Sequence, residues 1–280
     1  MLDILALDFG PGIVNLAQAQ QDGYSSNKTL GKGLGTIRSL SYESGIYTVA
    51  EALNTTEHIA WHGCALWSRF CPAQTIKAMP DPGQARNPCS QIQTGLFTRA
   101  FSDDRYNGDR IYMEHAGNRL RCLHLDGLGH GVLAQEATDG LAELLFLDQD
   151  IAQVLKLVDR QLKTTRGAVA VLSDLDLDTM HGQILGVGDM SAYAYIDDQL
   201  QTMTFAPGIL GKEHKTPRTL PIALKKPSTV ITASDGMRRG WNSHSFPGLM
   251  NQHPQLVAYV LGNIMGRASD DQSISVMRVE

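Results

Sequence analysis

The order of apolar and polar positions divides this chain into elements before its composition is considered. Residues 2–7 form a short apolar run that stops at Asp8-Phe9-Gly10-Pro11-Gly12, the pattern of a strand entering a turn. A polar, glycine-rich stretch then closes on Gly31-Lys32-Gly33-Leu34-Gly35. The spacing predicts a helix over 36–42 and strands over 45–50 and 58–66. Residues 72–90 carry Pro72, Pro80, Pro82, Gly83 and Pro88 among polar side chains. That is the composition of a linker, which puts a domain boundary at 71–91.

Beyond it, 111–113 and 121–125 read as a hairpin about the Gly117-Asn118 turn. Apolar residues recur at helical spacing over 132–146, and a second helix over 149–164 places Ile151, Val154, Leu155 and Val158 on one face. Strands are predicted over 168–175, 183–187, 192–196, 229–233 and 273–279, with a helix over 254–265. Helices and strands come in blocks and do not alternate, and no segment repeats another. The class is therefore α+β, with a front segment over 1–70 and a larger domain over 92–280.

Composition narrows the function. With 280 residues and 42% hydrophobic content the chain can bury one large or two small cores. Lys and Arg number 24 against 29 Asp and Glu, a net charge of −5, so no basic field favours nucleic acid. No run approaches the roughly 20 apolar residues of a membrane span. The start, Met1 to Asp8, carries an acid where a secretion signal has positive charge. The expectation is a soluble, cytoplasmic protein without a membrane or nucleic-acid partner. Cys64, Cys71, Cys89 and Cys122 contain no C-x-x-C pair and read as free thiols.

The candidate chemistry is carboxylate chemistry. Asp109 follows Asn107-Gly108, Asp126 precedes Gly127, Asp235 sits in Ser234-Asp235-Gly236, and Asp270 and Asp271 stand together. One Asp-Gly is usually a turn. Several, each where an apolar strand begins or ends, point to a shared cation site, because a carboxylate there is costly to desolvate without a partner.

These residues resemble the SpoIIE/RsbX-like branch of the metal-dependent PP2C serine/threonine phosphatases. The resemblance is carried by Gly108-Asp109, by Leu125-Asp126-Gly127-Leu128-Gly129-His130-Gly131 with Ala134 and Ala137, and by Thr165-Arg166-Gly167-Ala168. Gly186-Val187-Gly188-Asp189-Met190, Ser234-Asp235-Gly236 and Asp270-Asp271-Gln272-Ser273 extend it, in order, over about 92–280. It implies an α-β-β-α sandwich of two antiparallel sheets whose acids hold two Mn²⁺ or Mg²⁺ ions. Asp109 and Asp126 would be ligands, Asp126 bridging, with the Gly127 carbonyl beside them. Asp235 and Asp270 would complete the second ion, Asp270 preferred to Asp271. His130 is the candidate to protonate the leaving oxygen, and Arg105 the candidate phosphate anchor. Asp189 stands where members of the family usually have Asn.

The front segment resembles part of a GHKL ATPase domain of the RsbT anti-sigma-kinase type. Asp8, Gly10 and Gly12 form one box, Asp22-Gly23-Tyr24-Ser25 another, and Gly31, Gly33 and Gly35 a glycine-rich lid. The family's upstream helix with its Mg²⁺ ligand is missing, so ATP binding is not expected of this partial α/β half-domain. A docking role, or pairing of its exposed edge with another chain in a homo-oligomer, fits better. The resemblance implies a phosphatase acting on a phosphorylated STAS-type anti-sigma-factor antagonist in bacterial partner switching. The alternative is a catalytically silent module that binds a STAS partner.

Overall fold

Thirteen strands in three antiparallel sheets account for most of the regular structure in this computed structural model, which describes residues 1–21, 33–53, 59–71, 91–103, 105–146 and 149–280. The first sheet has the order β1 (Leu2–Leu7), β3 (Gly63–Phe70), β2 (Glu43–Val49). In the second, β10 (Gln199–Met203), β9 (Ser191–Ile196), β12 (Ser228–Ala233), β13 (Gln272–Val279) and β4 (Ile92–Arg99) lie side by side. The third runs β11 (Leu220–Ala223), β8 (His181–Val187), β7 (Ala168–Asp176), β6 (Arg119–Gly127), β5 (Asp109–Ala116).

Period-two alternation fixes which side chains each sheet buries. On β7, Val171 and Leu175 join the apolar cluster between the second and third sheets, where Ala192, Ala194, Val230 and Met277 meet them. Ala168, Ala170 and Leu172 point the other way, into a cluster with Leu123, Leu125 and the apolar face of a helix. That helix, α4 (Ile151–Leu162) of five among the described residues (α1 Leu16–Ala19, α2 Gly33–Leu40, α3 Val132–Thr138, α5 Pro254–Met265), is built as its sequence suggests. Ile151, Val154, Leu155, Val158 and Leu162 are buried, and the Asp150 carboxylate caps it by accepting the amides of Ala152 and Gln153 at 2.9 and 3.0 Å. Each such aliphatic side chain contributes roughly 1.5–3 kcal/mol, the cap about 1 kcal/mol.

α5 is apolar nearly all round, which a helix tolerates only when covered on both sides. Here the second sheet lies on one side and the first on the other. Leu256, Val257, Ala258, Val260 and Leu261 share one core with Trp67 and Tyr47 of the first sheet and with Phe97 and Ile274 of the second. His253, which caps α5, stacks on Trp67 with ring centroids 4.4 Å apart. The front segment is thus an antiparallel layer that buries its apolar side in a core shared with the larger domain.

Three expectations need correction. The helix over 132–146 ends at Thr138, because Asp139 is extended and Gly140 takes φ +77°; a short 3₁₀ turn, Ala142–Phe146, follows. The strand expected over 58–66 begins at Gly63 and continues through Arg69, which faces Asp3 and Glu43 on the flanking strands. The front α/β half-domain is instead a three-stranded antiparallel sheet with two short helices. The proline-rich linker lies outside the described residues, as does Cys89. Among the described residues, no helix is long and apolar enough to cross a membrane.

Candidate active site

Antiparallel pairing brings the acid-bearing strand ends to one end of the sandwich. β5 begins at Asp109 and β6 finishes at Asp126–Gly127, with Asp109 and Asp126 direct register partners. In the facing sheet β12 leaves into Ser234-Asp235-Gly236 while β13 enters from Asp270-Asp271, Ala233 lying opposite Ile274. The β8–β9 turn adds Asp189. An open cleft of about 510 Å³ lies there, with Asp126, Asp189, Asp235 and Asp270 in its lining and Val169 and Ile209 among its apolar walls.

Close backbone approach at this end demands glycine at Gly127 and Gly236. A Cβ on Gly127 would lie 2.5 Å from the carbonyl oxygen of Ala134, so α3 packs directly on the end of β6. A Cβ on Gly236 would lie 1.8 Å from the carbonyl oxygen of Asp271, where the chain leaving β12 passes the chain entering β13.

The electrostatics are those of crowded like charges. Asp109 is 1% exposed, and its Oδ2 accepts a 2.6 Å hydrogen bond from Ser273. Its Oδ1 is buried without a hydrogen-bond partner among the described residues. Burial pushes the Asp109 carboxyl well above the carboxylate range and the charges of Asp271 and Asp235 add to it, opposed by the Ser273 hydrogen bond and the nearby Ser234 hydroxyl. Asp126 is raised by burial first, then by the charges of Asp109, Asp235, Asp270 and Asp189. Asp235 is raised by burial and by Asp189 and Asp270, opposed by Arg239 and Arg267. A cation would offset this repulsion, and the donors are the hard oxygens that Mg²⁺ and Mn²⁺ take. Among the described residues no three His, Cys, Asp or Glu side chains already close round a single point as a metal cage. The cluster is open, so fit rests on the donor chemistry and on the orphaned Asp109 oxygen.

The structure distinguishes among the expected site residues. Asp109, Asp126, Asp235 and Asp270 act on one another electrostatically, with the Gly127 backbone at the strand end beside them. Asp271 is committed elsewhere: it is 3% exposed and its two oxygens accept the amides of Phe101 and Gly108, each at 2.7 Å. Its place is structural, holding the loop before β5 against β13. His130 is exposed at the rim, packed on Phe101 with ring centroids 5.1 Å apart, and is not among the described cleft-lining residues. Arg105 lies over the ring of Tyr106 at 4.7 Å and likewise does not line the cleft.

Sequence reasoning noted Asp189 only as a departure from the family pattern. Arg239, which pairs with Asp189 at 3.8 Å, was not singled out. Neither was His124, wholly buried between the sheets and neutral, its pKa pushed down to about 3 by desolvation. A lone histidine within an apolar strand was the one available signal.

The nucleotide candidates lie in the first sheet. Asp8 Oδ1 accepts the amides of Gly10 and Cys64 at 2.9 and 3.1 Å, which ties the loop to β3. Gly12 has φ +70°, and a Cβ there would sit 2.3 Å from the carbonyl oxygen of Val49. Gly33 and Gly35 lie in α2. Gly31 and the 22–25 box lie outside the described residues.

Two five-stranded antiparallel sheets, helices on both outer faces and a carboxylate cleft at the end of the sandwich define the PP2C phosphatase fold. Within that class the chain is similar to the phosphoserine phosphatase RsbX of Bacillus subtilis (strain 168), at 23% identity over 150 residues, 52% of this chain and 75% of that protein. The structure of RsbX in complex with magnesium matches with a TM-score of 0.61 and 21% identity, over 68% of this chain and 96% of the other. The PP2C domain of SpoIIE from Bacillus subtilis, with a fragment of its regulatory domain, gives 0.56 and 18% over 88% of this chain and 74% of that one. PstP/Ppp, a serine/threonine phosphatase of Mycobacterium tuberculosis, gives 0.53 and 15% over 68% and 99%. No family model matches the chain.

Proposed function

We propose that this protein is a divalent-metal-dependent phosphoprotein phosphatase that removes phosphate from serine or threonine of a small STAS-type anti-sigma-factor antagonist in bacterial partner switching. The observation that carries this reading is the convergence of Asp109, Asp126, Asp235 and Asp270, from both sheets, on one end of the sandwich. Similarity to a phosphoserine phosphatase supports the reaction. Neighbours described as a stressosome system and as RsbU and RsbW domains support the pathway.

Asp109, Asp126, Asp235, Asp270 and the Gly127 carbonyl would hold two Mn²⁺ or Mg²⁺ ions. When bound, such ions lower the pKa of a water for attack on phosphorus and neutralise phosphoryl charge, toward a barrier reduction of roughly 20 kcal/mol. The protein's part is positional. Asp126, most strongly crowded by other acids, stays ionised only beside positive charge. Ser273 holds one oxygen of Asp109 and leaves the other free. Arg239 pairs with Asp189 at the cleft, and Arg166 reaches over Gly129, its guanidinium 3.2 Å from where a Cβ would be, so cationic groups border the place a phosphoryl group would occupy. The larger domain, 92–280, carries the reaction and the front sheet is an accessory layer.

The test is release of phosphate from p-nitrophenyl phosphate and from a phosphoserine STAS protein, with Mn²⁺, with Mg²⁺ and with chelator. Metal-dependent turnover of both is expected. Turnover of the small ester alone would remove the STAS substrate, and binding of the STAS protein without turnover of either would favour the silent module.

A further inference from the structure

A polar seam crosses the otherwise apolar space between the second and third sheets and ends at the candidate site. Its centre is His124 on β6, 0% exposed. The ring reaches across to the facing sheet at both nitrogens, Nδ1 to Thr232 Oγ1 on β12 and Nε2 to Ser273 Oγ on β13, each at 2.7 Å. Ser273 donates to Asp109 Oδ2 at 2.6 Å. At the other end Thr232 Oγ1 meets Ser275 Oγ at 2.6 Å, and the Cys122 thiol donates to Ser275 at 3.8 Å.

Counting protons gives this chain a direction. Beside a bound cation Asp109 would be ionised, and an ionised carboxylate only accepts, so in that state the single Ser273 hydroxyl proton goes to Asp109. Ser273 Oγ must then accept from His124, which puts the ring proton on Nε2. The neutral ring accepts at Nδ1, so Thr232 donates there, accepts from Ser275, and Ser275 accepts from Cys122. Each ring nitrogen, hydroxyl and thiol named here then has a partner, and every donor points toward Asp109, whose Oδ1 alone has none among the described residues. Aligned hydrogen bonds polarise one another in a low-dielectric interior.

We propose that His124 is a positioning residue, which through Ser273 fixes the orientation of Asp109 so that its unpartnered Oδ1 is presented to a divalent cation. The proposal rests on the reading of Asp109 as a metal ligand given above. Partners that orient metal-ligating side chains in this way typically account for about 10- to 100-fold in metal affinity.

The experiment is calorimetric titration of Mg²⁺ into the metal-free full chain for the native sequence, Ser273→Ala, His124→Ala and His124→Gln. Thermal melts of each metal-free protein accompany it, with ¹⁵N NMR of the histidine rings in the Mg²⁺-loaded native protein. Ser273→Ala and His124→Ala are expected to weaken Mg²⁺ binding by about 10- to 100-fold. His124→Gln, which keeps a donor and an acceptor, is expected to recover part of that loss. The NMR is expected to find His124 protonated at Nε2. Unchanged Mg²⁺ affinity in a folded Ser273→Ala protein overturns the positioning role while leaving the metal site intact. An Nδ1-protonated ring overturns it even where the His124 variants fail to fold. No Mg²⁺ binding by the native protein overturns the metal site and the positioning role together.

Discussion

Carboxylates in the front sheet and carboxylates at the end of the sandwich are handled in opposite ways. Asp3 meets the Arg69 guanidinium at two positions, 2.8 and 2.9 Å; burial pushes its pKa up, but the Arg69 bonds and charge together with its other hydrogen-bonding neighbours hold it below the ordinary value. Asp8 spends one oxygen on two backbone amides. Asp109, Asp126, Asp235 and Asp270 are instead crowded together, and Asp109 Oδ1 is buried without a hydrogen-bond partner among the described residues. A carboxylate with its own donor builds structure. A group of them that crowd one another, with donors for only some of their oxygens, fits something that arrives from outside.

Variants can sharpen that contrast. Asp126→Asn is expected to lower kcat on p-nitrophenyl phosphate at least about a thousandfold, about 4 kcal/mol of barrier. The same substitution puts a neutral amide where burial and neighbouring acids already oppose ionisation, so the metal-free protein is expected to melt no lower than the native one; steady-state kinetics and calorimetry on one preparation check both. Arg69→Ala in the front sheet is expected to do the reverse. It leaves Asp3 and Glu43 without their partner, costs about 1–2 kcal/mol in urea unfolding and changes kcat less than about threefold.

A pH series probes the same difference. Asp126 is raised in the folded state to about 9 from 3.8. The native protein therefore binds more protons than the unfolded chain, and stability falls as pH rises toward the folded value. His124 and His253 act oppositely, but only below their unfolded value of 6.5, and Cys64 and Cys122 enter near the thiol value of 9.0. Between 6.5 and 9.0 the melting temperature of the metal-free protein is expected to fall in the native chain and to fall less in Asp126→Asn. His130→Ala, at the rim, is expected to change kcat by less than about tenfold, far below the general-acid range. Titration with ATP is expected to give no heat of binding.

The candidate acids stand out in the sequence because Asp109, Asp126 and Asp235 sit beside glycine and all four lie near where an apolar strand begins or ends, a local signal. The choice of Asp270 over Asp271 came from motif alignment. The structure supplies the physical reason to set Asp271 aside, since its oxygens go to amides 170 and 163 residues away. His124 was illegible for the same cause, with partners 108 and 149 residues distant. Among the strands of the two larger sheets, β4, β10 and β11 were not legible. β4, β10 and β11 each end a sheet, are covered less completely, and carry polar residues or Pro221 where a central strand would be apolar. The split of 132–146 was hidden because apolar spacing continues across the break at Gly140.

The central claim is that the crowded carboxylates at the end of the sandwich hold cations. It is tested most directly by titrating Mn²⁺ into the metal-free protein by calorimetry in two buffers of different ionisation heat. The account predicts uptake of two ions with release of protons, because the raised carboxyls must ionise to bind, and loss of at least one ion in Asp126→Asn. No uptake by the native protein, or equal uptake by the variant, would contradict it.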